Sequence, residues 1–146
     1  MKNKPYSLDQ GILIENKGVI IPWQTRFKKI DNFGQPDIIN SEQRSDAVWK
    51  EVQIFNGISV DLVAIFWHSI FGRNKLNSVH AYFDECTFET FKDHFAKKYN
   101  QEGKLRNKNR LEYYYFWKRD QCKIVLGKGD RFGTYYYLRI KKCKWP

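Results

Sequence analysis

The sequence predicts an α+β domain in which an antiparallel sheet of six or seven strands carries two short helices on one face. Three observations indicate this class. Runs of alternating apolar and aromatic residues are separated by turn residues, which is typical of antiparallel strands. Asn56-Gly57 lies between two such runs and is a strong hairpin signal. Two other segments carry apolar residues at helical spacing, as expected of helices that bury one side.

The chain has 146 residues and is expected to form one domain over residues 11–146. A chain of this length buries about two-thirds of its unfolded surface, so a core can form without disulfides or metals. Residues 1–10 are polar and contain Pro5, and we expect them to be disordered. No segment has the pattern of a secretion signal or a membrane span, so we expect a cytoplasmic protein with no membrane partner.

The first half is expected to open with a strand or hairpin arm over residues 12–21. A short helix should follow, because the hydroxyl of Thr25 can cap its start and Gly34 can adopt the left-handed conformation at its end. Pro36 prevents its continuation. Residues 37–46 are polar and are interpreted as a connection.

Three strands are predicted next, over residues 48–55, 58–67 and 76–83. The middle strand has apolar residues on both of its faces, so we expect it to be central and covered on both sides. In the third strand, His80 and Tyr82 point away from the apolar face that carries Val79 and Ala81.

The second half should begin with a helix near Thr87, whose apolar stripe is formed by Phe88, Phe91 and Phe95. Residues 100–109 are polar and basic and are expected to form a flexible loop. A meander of three aromatic and β-branched strands should complete the sheet, with a turn at residues 127–130 before the last strand.

The two halves present the same order of elements. Each contains a helix followed by three strands, which predicts pseudo-repeats over residues 23–84 and 86–143. If both helices pack on one face of a continuous sheet, the opposite face is left open.

Residues 25–36 read T-R-F-K-K-I-D-N-F-G-Q-P and have the form T-x7-hydrophobic-G-x-P. This pattern resembles the helical signature of the β-lactamase-inhibitory proteins and the small outer-membrane assembly lipoproteins. The resemblance implies short helices on one side of an antiparallel sheet and a non-enzymatic binding module. The second half contains no such motif.

No arrangement of residues in the sequence predicts a catalytic site, a metal site or a cofactor. The histidines His68, His80 and His94 lack metal-ligand spacing, and no two cysteines form a C-x-x-C pair. Residues 127–133 resemble a phosphate loop but lack the G-K-[ST] ending and precede a strand. We therefore expect a protein that is not an enzyme and whose thiols are reduced.

The charge is distributed unevenly along the chain. Residues 1–95 hold 11 Lys/Arg and 12 Asp/Glu, whereas residues 96–146 hold 15 Lys/Arg and 4 Asp/Glu, within a total net charge of +10. Such asymmetry indicates either an anionic partner or a solvated basic face.

Strand alternation places aromatic and basic side chains together on the open face. Tyrosine and arginine are enriched among interface anchors, although tyrosine also suits strands for structural reasons. The predicted partner-binding residues are Tyr82, Tyr114, Phe116, Lys118, Tyr135, Tyr137, Arg139 and Lys141.

These features lead to two functional hypotheses. The first is a protein-binding module, such as a bacterial immunity or inhibitor protein, whose partner is acidic or mixed in charge. The alternative is a single-stranded nucleic-acid-binding protein that stacks bases on the aromatic, basic C-terminal half.

Overall fold

The computed structural model describes residues 5–68 and 74–143. Its strands are β1 (Ile12–Ile14), β2 (Val19–Ile21), β3 (Asp37–Asn40), β4 (Arg44–Ile54), β5 (Ile58–Trp67), β6 (Ser78–Phe83), β7 (Lys104–Asn109), β8 (Glu112–Arg119), β9 (Cys122–Gly129) and β10 (Tyr135–Lys142). The helix α1 spans Glu85–Lys98, and 3₁₀ helices span Leu8–Gln10, Glu15–Lys17 and Phe27–Asn32. Residues 71–74 read F-G-R-N, which predicts a turn between the strands at 58–67 and 76–83, and they lie largely outside the described residues.

Eight of these strands form one antiparallel sheet in the order β3-β4-β5-β6-β10-β9-β8-β7, while β1 and β2 form a separate hairpin. The two halves of the chain meet where β6 pairs with β10, for example at Ala81 and Leu138. Each half contributes four consecutive strands preceded by a helix. The predicted antiparallel sheet is therefore present, but it has eight strands and not six or seven, and the described chain is mostly β, with α1 as its one α-helix.

The two additional strands are β3 and β7, which form the edges of the sheet. Residues 37–46 were expected to form a polar connection and residues 100–109 a flexible loop; these predictions are wrong for residues 37–40, 44–46 and 104–109, which are strands, and hold for residues 41–43 and 100–103. Every residue of β7 is exposed, and β3 is mostly exposed. An edge strand of this kind has no buried face, so it lacks the apolar alternation that identifies inner strands. Each half is accordingly a helix followed by four strands.

The first helix is a 3₁₀ helix, Phe27–Asn32, whose start is not capped by Thr25. The Thr25 hydroxyl instead donates to the carbonyl oxygen of Pro22 at 2.6 Å. Gly34 does adopt the left-handed conformation expected of it, with a φ of 77°.

The helix α1 begins two residues earlier than predicted. Asp84 is its N-cap, and the carboxylate of Asp84 accepts a hydrogen bond from the backbone N–H of Thr87 at 2.8 Å. This bond lowers the pKa of the Asp84 carboxyl. The predicted stripe of Phe88, Phe91 and Phe95 is buried, as expected.

The N-terminal segment is part of the core from Leu8 onward. The side chain of Leu8 is fully buried, and its carbonyl oxygen accepts a hydrogen bond from Trp23 Nε1 at 2.7 Å. The prediction of disorder over residues 1–10 is therefore wrong for residues 5–10. Residues 1–4 lie outside the described part of the chain.

The core lies between one face of the eight-stranded sheet and a layer made of α1, the 3₁₀ helix Phe27–Asn32 and the β1–β2 hairpin. Phe88 packs against Tyr136, and Phe95 packs against Trp117. We call the opposite side of the sheet the open face, because no helix of residues 5–68 or 74–143 packs on it. The strand β5 is central but is covered on one side only, which corrects the expectation for residues 58–67.

Within the described residues, no helix has both the length and the apolar character required to cross a membrane.

Candidate functional site

The open face collects the predicted binding residues in cross-strand rows. Tyr82 on β6 pairs with Tyr137 on β10, which pairs with Gly127 on β9, which in turn pairs with Tyr114 on β8. The next row along the strands runs from His80 through Arg139 and Val125 to Phe116, and the following row contains Ser78, Lys141, Lys123 and Lys118. The structure thus brings together on one surface all eight residues that the sequence indicated.

Two tyrosine rings lie over glycines of the neighbouring strand. A methyl group at Gly127 would overlap the ring of Tyr137, and one at Gly129 would overlap the ring of Tyr135. The two rings are inclined by 29° with centroids 6.1 Å apart. These glycines were expected to form a turn over residues 127–130. They belong to β9 instead, and their small size lets the rings approach the backbone.

Glu112 holds both rings in place. Its carboxylate accepts hydrogen bonds from the hydroxyls of Tyr137 at 2.9 Å and Tyr135 at 3.4 Å. Lys108 Nζ lies 3.7 Å from the same carboxylate, whose side chain is only 16% exposed. Burial and the bond to Glu112 raise the pKa of the Tyr137 hydroxyl, so the hydroxyl keeps its proton and remains a donor at neutral pH.

A depression of about 400 Å³ opens above these residues. Its rim includes Tyr82, which is 66% exposed, and its floor includes Val125, which is 5% exposed. The remaining side chains that line it are aromatic, basic or, in one case, acidic: His80, Lys108, Glu112, Tyr114, Lys123, Tyr135, Tyr137 and Arg139. The depression can therefore receive a group that is flat, anionic or both.

Basic groups surround the aromatic rings on this half of the face. Lys123 Nζ lies 5.1 Å from the ring centroid of Phe116, and Arg106 Cζ lies 5.6 Å from it. Burial lowers the pKa of His80, and the neighbouring guanidinium groups of Arg139 and Arg44 lower it further. Among the residues that the structure describes, no carboxylate forms an ion pair with Arg139.

The other half of the open face carries apolar residues together with charges of both signs, and the sequence did not indicate it as an exposed surface. Trp67 at the end of β5 is 55% exposed, with Arg44 Cζ 5.7 Å from the centroid of its ring. A second depression of about 340 Å³ extends from Trp67 and Ile65 to Arg139, and shares His80 with the first. The alternation in residues 58–67 does place Ile65 and Trp67 on the face opposite to the core. The prediction, however, took that face to be a second buried one.

The structure also brings Ser45 and His68 together, which no sequence pattern indicated. Ser45 Oγ lies 2.8 Å from His68 Nε2, and His68 Nδ1 lies 3.1 Å from the carbonyl oxygen of Glu42. This geometry resembles an activated nucleophile. However, Ser45 is 1% exposed and its hydroxyl also donates to Asn40 Oδ1 at 2.7 Å. The contacts tie the β3–β4 turn to the end of β5, and a substrate has no access to the hydroxyl in this arrangement.

Among the described residues, no group of three or more His, Cys, Asp or Glu side chains is placed to hold a metal ion. Cys86, Cys122 and Cys143 are free thiols. Burial raises the pKa of the Cys122 thiol to about 12, so this thiol is protonated at neutral pH and is a poor nucleophile.

In comparisons with known proteins, no protein-family model matches the chain, and no curated protein or solved structure matches it at a significant level.

Proposed function

We propose that this chain is a non-enzymatic protein-binding module, of the kind used by bacterial immunity and inhibitor proteins, and that its open face docks on the partner. The observation that carries the proposal is the continuity of this face from Trp67 to Tyr114. The open face joins two depressions lined by aromatic, apolar and basic side chains. Exposed aromatic residues and arginine, which this face carries at its centre, are enriched in protein interfaces.

The distribution of charge favours a protein over a uniform polyanion as the partner. The half of the face formed by β6–β10 is basic and aromatic, whereas the half formed by β3–β5 carries Val63 and Ile65 beside Asp61 and the ion pair of Arg44 with Asp46. A partner that covers both halves must present acidic groups to one half and mainly apolar groups to the other. Protein surfaces meet that requirement, because their charges vary from residue to residue.

Tyr137 and Arg139 are the central anchor candidates. Tyr137 is held rigidly by Glu112 and Gly127, so little conformational entropy is lost when a partner covers it. Arg139 lines both depressions. Truncation of a central Tyr or Arg anchor typically costs about 2 kcal/mol or more of binding free energy.

The test uses the product of the neighbouring gene as the candidate partner. The wild-type chain should retain this protein during co-purification, and the double variant Tyr137→Ala with Arg139→Ala should lose it. A matched double variant on the helix side, Lys28→Ala with Lys29→Ala, should behave as wild type, since both lysines are exposed on the 3₁₀ helix. Equal retention by the wild type and the open-face variant would contradict the proposal. Circular dichroism should verify that each variant is folded.

A second candidate function, single-stranded nucleic-acid binding, is supported by one specific feature. The rings of Tyr135 and Tyr137 lie over glycines of the sheet beside Arg139 and Lys123, and aromatic rings within a basic groove are the elements on which bases stack. Binding of this kind weakens steeply as salt is added, because counterions are released from the phosphates. If an oligonucleotide at low salt gives no change in tyrosine fluorescence or mobility, this candidate is excluded.

A further inference from the structure

We propose that Arg139 and His80, supported by Lys123, form a subsite that receives one acidic side chain, aspartate or glutamate, of the partner protein. This inference rests on the proposed function and specifies the chemistry at the centre of the docking surface.

The position of the two residues is the first argument. Arg139 and His80 are direct cross-strand neighbours on β10 and β6, at the junction between the two halves of the chain. Both side chains line the depression beside Tyr82 and the depression beside Trp67. A group bound between them therefore lies at the centre of the open face, where anchors are most completely shielded from water.

The unbalanced positive charge at this position is the second argument. Arg139 has no ion-pair partner within the described residues, and Lys123 lies in the same depression. The carboxylate in that depression, Glu112, already accepts bonds from two tyrosine hydroxyls and lies near Lys108. A carboxylate from a partner would accept a charge-assisted hydrogen bond from the Arg139 guanidinium and another from the His80 ring.

The floor and walls of the subsite suit a small anion on a short apolar stem. Val125 is the cross-strand neighbour of Arg139 on β9 and is almost fully buried. It gives the methylene groups of an aspartate or glutamate an apolar surface. Glu112 lies in the same depression and Asp46 lies near His80. These carboxylates disfavour a continuous chain of phosphates across the face, so a single acidic side chain fits better.

Protonation of His80 is expected to be coupled to this binding. The charged groups that act on His80 are Arg139 from β10 and Arg44 and Asp46 from β4, while Ser78 on its own strand lies within 3.5 Å. The two arginines favour the neutral imidazole and Asp46 favours the charged form. A bound carboxylate adds a negative charge, so it should raise the pKa of His80 and lead to proton uptake. Affinity should then increase as the pH falls from about 7.5 to about 5.5, a range in which histidine titrates.

The experiment titrates the isotope-labelled full chain with a capped pentapeptide of glycine that carries one central glutamate, at low salt, and follows the NMR signals of His80, Arg139 and Tyr82. These signals should shift, and the variants Arg139→Gln and His80→Gln should bind about tenfold more weakly, since each removes one charge-assisted hydrogen bond. The control Lys97→Gln, an exposed residue of α1 on the other side of the sheet, should bind as wild type. The pKa of His80, measured from its ring carbons, should rise on addition of the peptide.

Three results would overturn the subsite: no shift at these signals, equal affinity for wild type and Arg139→Gln, or no change in the pKa of His80. Tighter binding of a thymidine dinucleotide, whose single phosphate carries the same charge, at the same signals would also overturn it, in favour of nucleic acid. Failure of the two proposals can be told apart. Retention of the neighbouring-gene product without binding of the glutamate peptide overturns the subsite alone, whereas binding of the glutamate peptide without retention overturns only the proposed function.

Discussion

At the scale of single residues, Gly127 and Glu112 both act on the side chain of Tyr137, which lies on another strand. Gly127 leaves room for the ring of Tyr137, and Glu112 accepts the hydrogen bond at the far end of that ring. Strand alternation correctly predicted which way Tyr137 and Arg139 point, because that depends only on the period of a strand. It could not predict the contact with Glu112, since that contact depends on the register of three strands.

Because Gly127 contacts the ring of Tyr137, the effect of substituting Gly127 on stability should depend on whether that ring is present. Gly127→Ala should destabilise the wild type by about 1–3 kcal/mol, because the added methyl group overlaps the ring and forces it out of place. In the Tyr137→Ala background the same substitution should stabilise by about 0.5–1 kcal/mol, as alanine usually does in a strand interior. Urea unfolding of the four proteins measures both values. The same sign in both backgrounds would contradict the packing described for Tyr137.

At the scale of elements, the inner strands and α1 could be predicted, and the edge strands could not. β5 has an alternating pattern because one of its faces is buried, and α1 has a stripe of three phenylalanines for the same reason. β7 reads K-L-R-N-K-N and buries no side chain, so its only structural signal is backbone pairing with β8. Backbone hydrogen bonds between strands can form whatever side chains the residues carry. Pairing of this kind therefore leaves no pattern in the sequence.

Hydrogen exchange can test whether Lys104–Asn109 is a strand. In an edge strand every second backbone N–H is bonded to the neighbouring strand, while those between point to solvent. The amides of β7 should therefore alternate between slower and faster exchange, and those of β9, which is paired on both sides, should exchange slowly throughout. NMR-detected exchange resolves the individual amides. Uniformly fast exchange over residues 104–109 would show that this segment is the loop that the sequence suggested.

At the scale of the whole molecule, the open face and the buried core respond to pH through different histidines. His80 belongs to the open face, whereas His94 on α1 packs against Phe55 on the core side. Burial is the main cause that lowers the pKa of each, and the nearby Lys98 adds to the effect at His94. The Nε2 atom of His94 has no hydrogen-bond partner within the described residues. Protonation of either ring is thus less favourable in the folded protein than in the unfolded chain.

The lowered pKa values predict a loss of stability in mild acid. An unfolded histidine binds its proton near pH 6.5, the ordinary value for both residues, whereas the folded protein binds it only at lower pH. The stabilising contribution is therefore present above pH 6.5 and decreases as the pH falls through the lower folded pKa. The melting temperature should fall between pH 6.5 and 5. The double variant His80→Gln with His94→Gln should show a flatter profile. An identical decrease in both proteins would contradict this assignment.

Local pattern in the sequence alone determined the antiparallel strands from 48 to 67, the hairpin at Asn56-Gly57 and the outward direction of Tyr135 and Tyr137 in the last strand. These follow from side-chain period and turn chemistry, which act over a few residues. The tertiary structure decided the number of strands, the eight-strand order and the pairing of β6 with β10 that places His80 beside Arg139. These features depend on contacts between residues far apart in the chain, and such contacts are set by how the two halves pack and not by any local stretch.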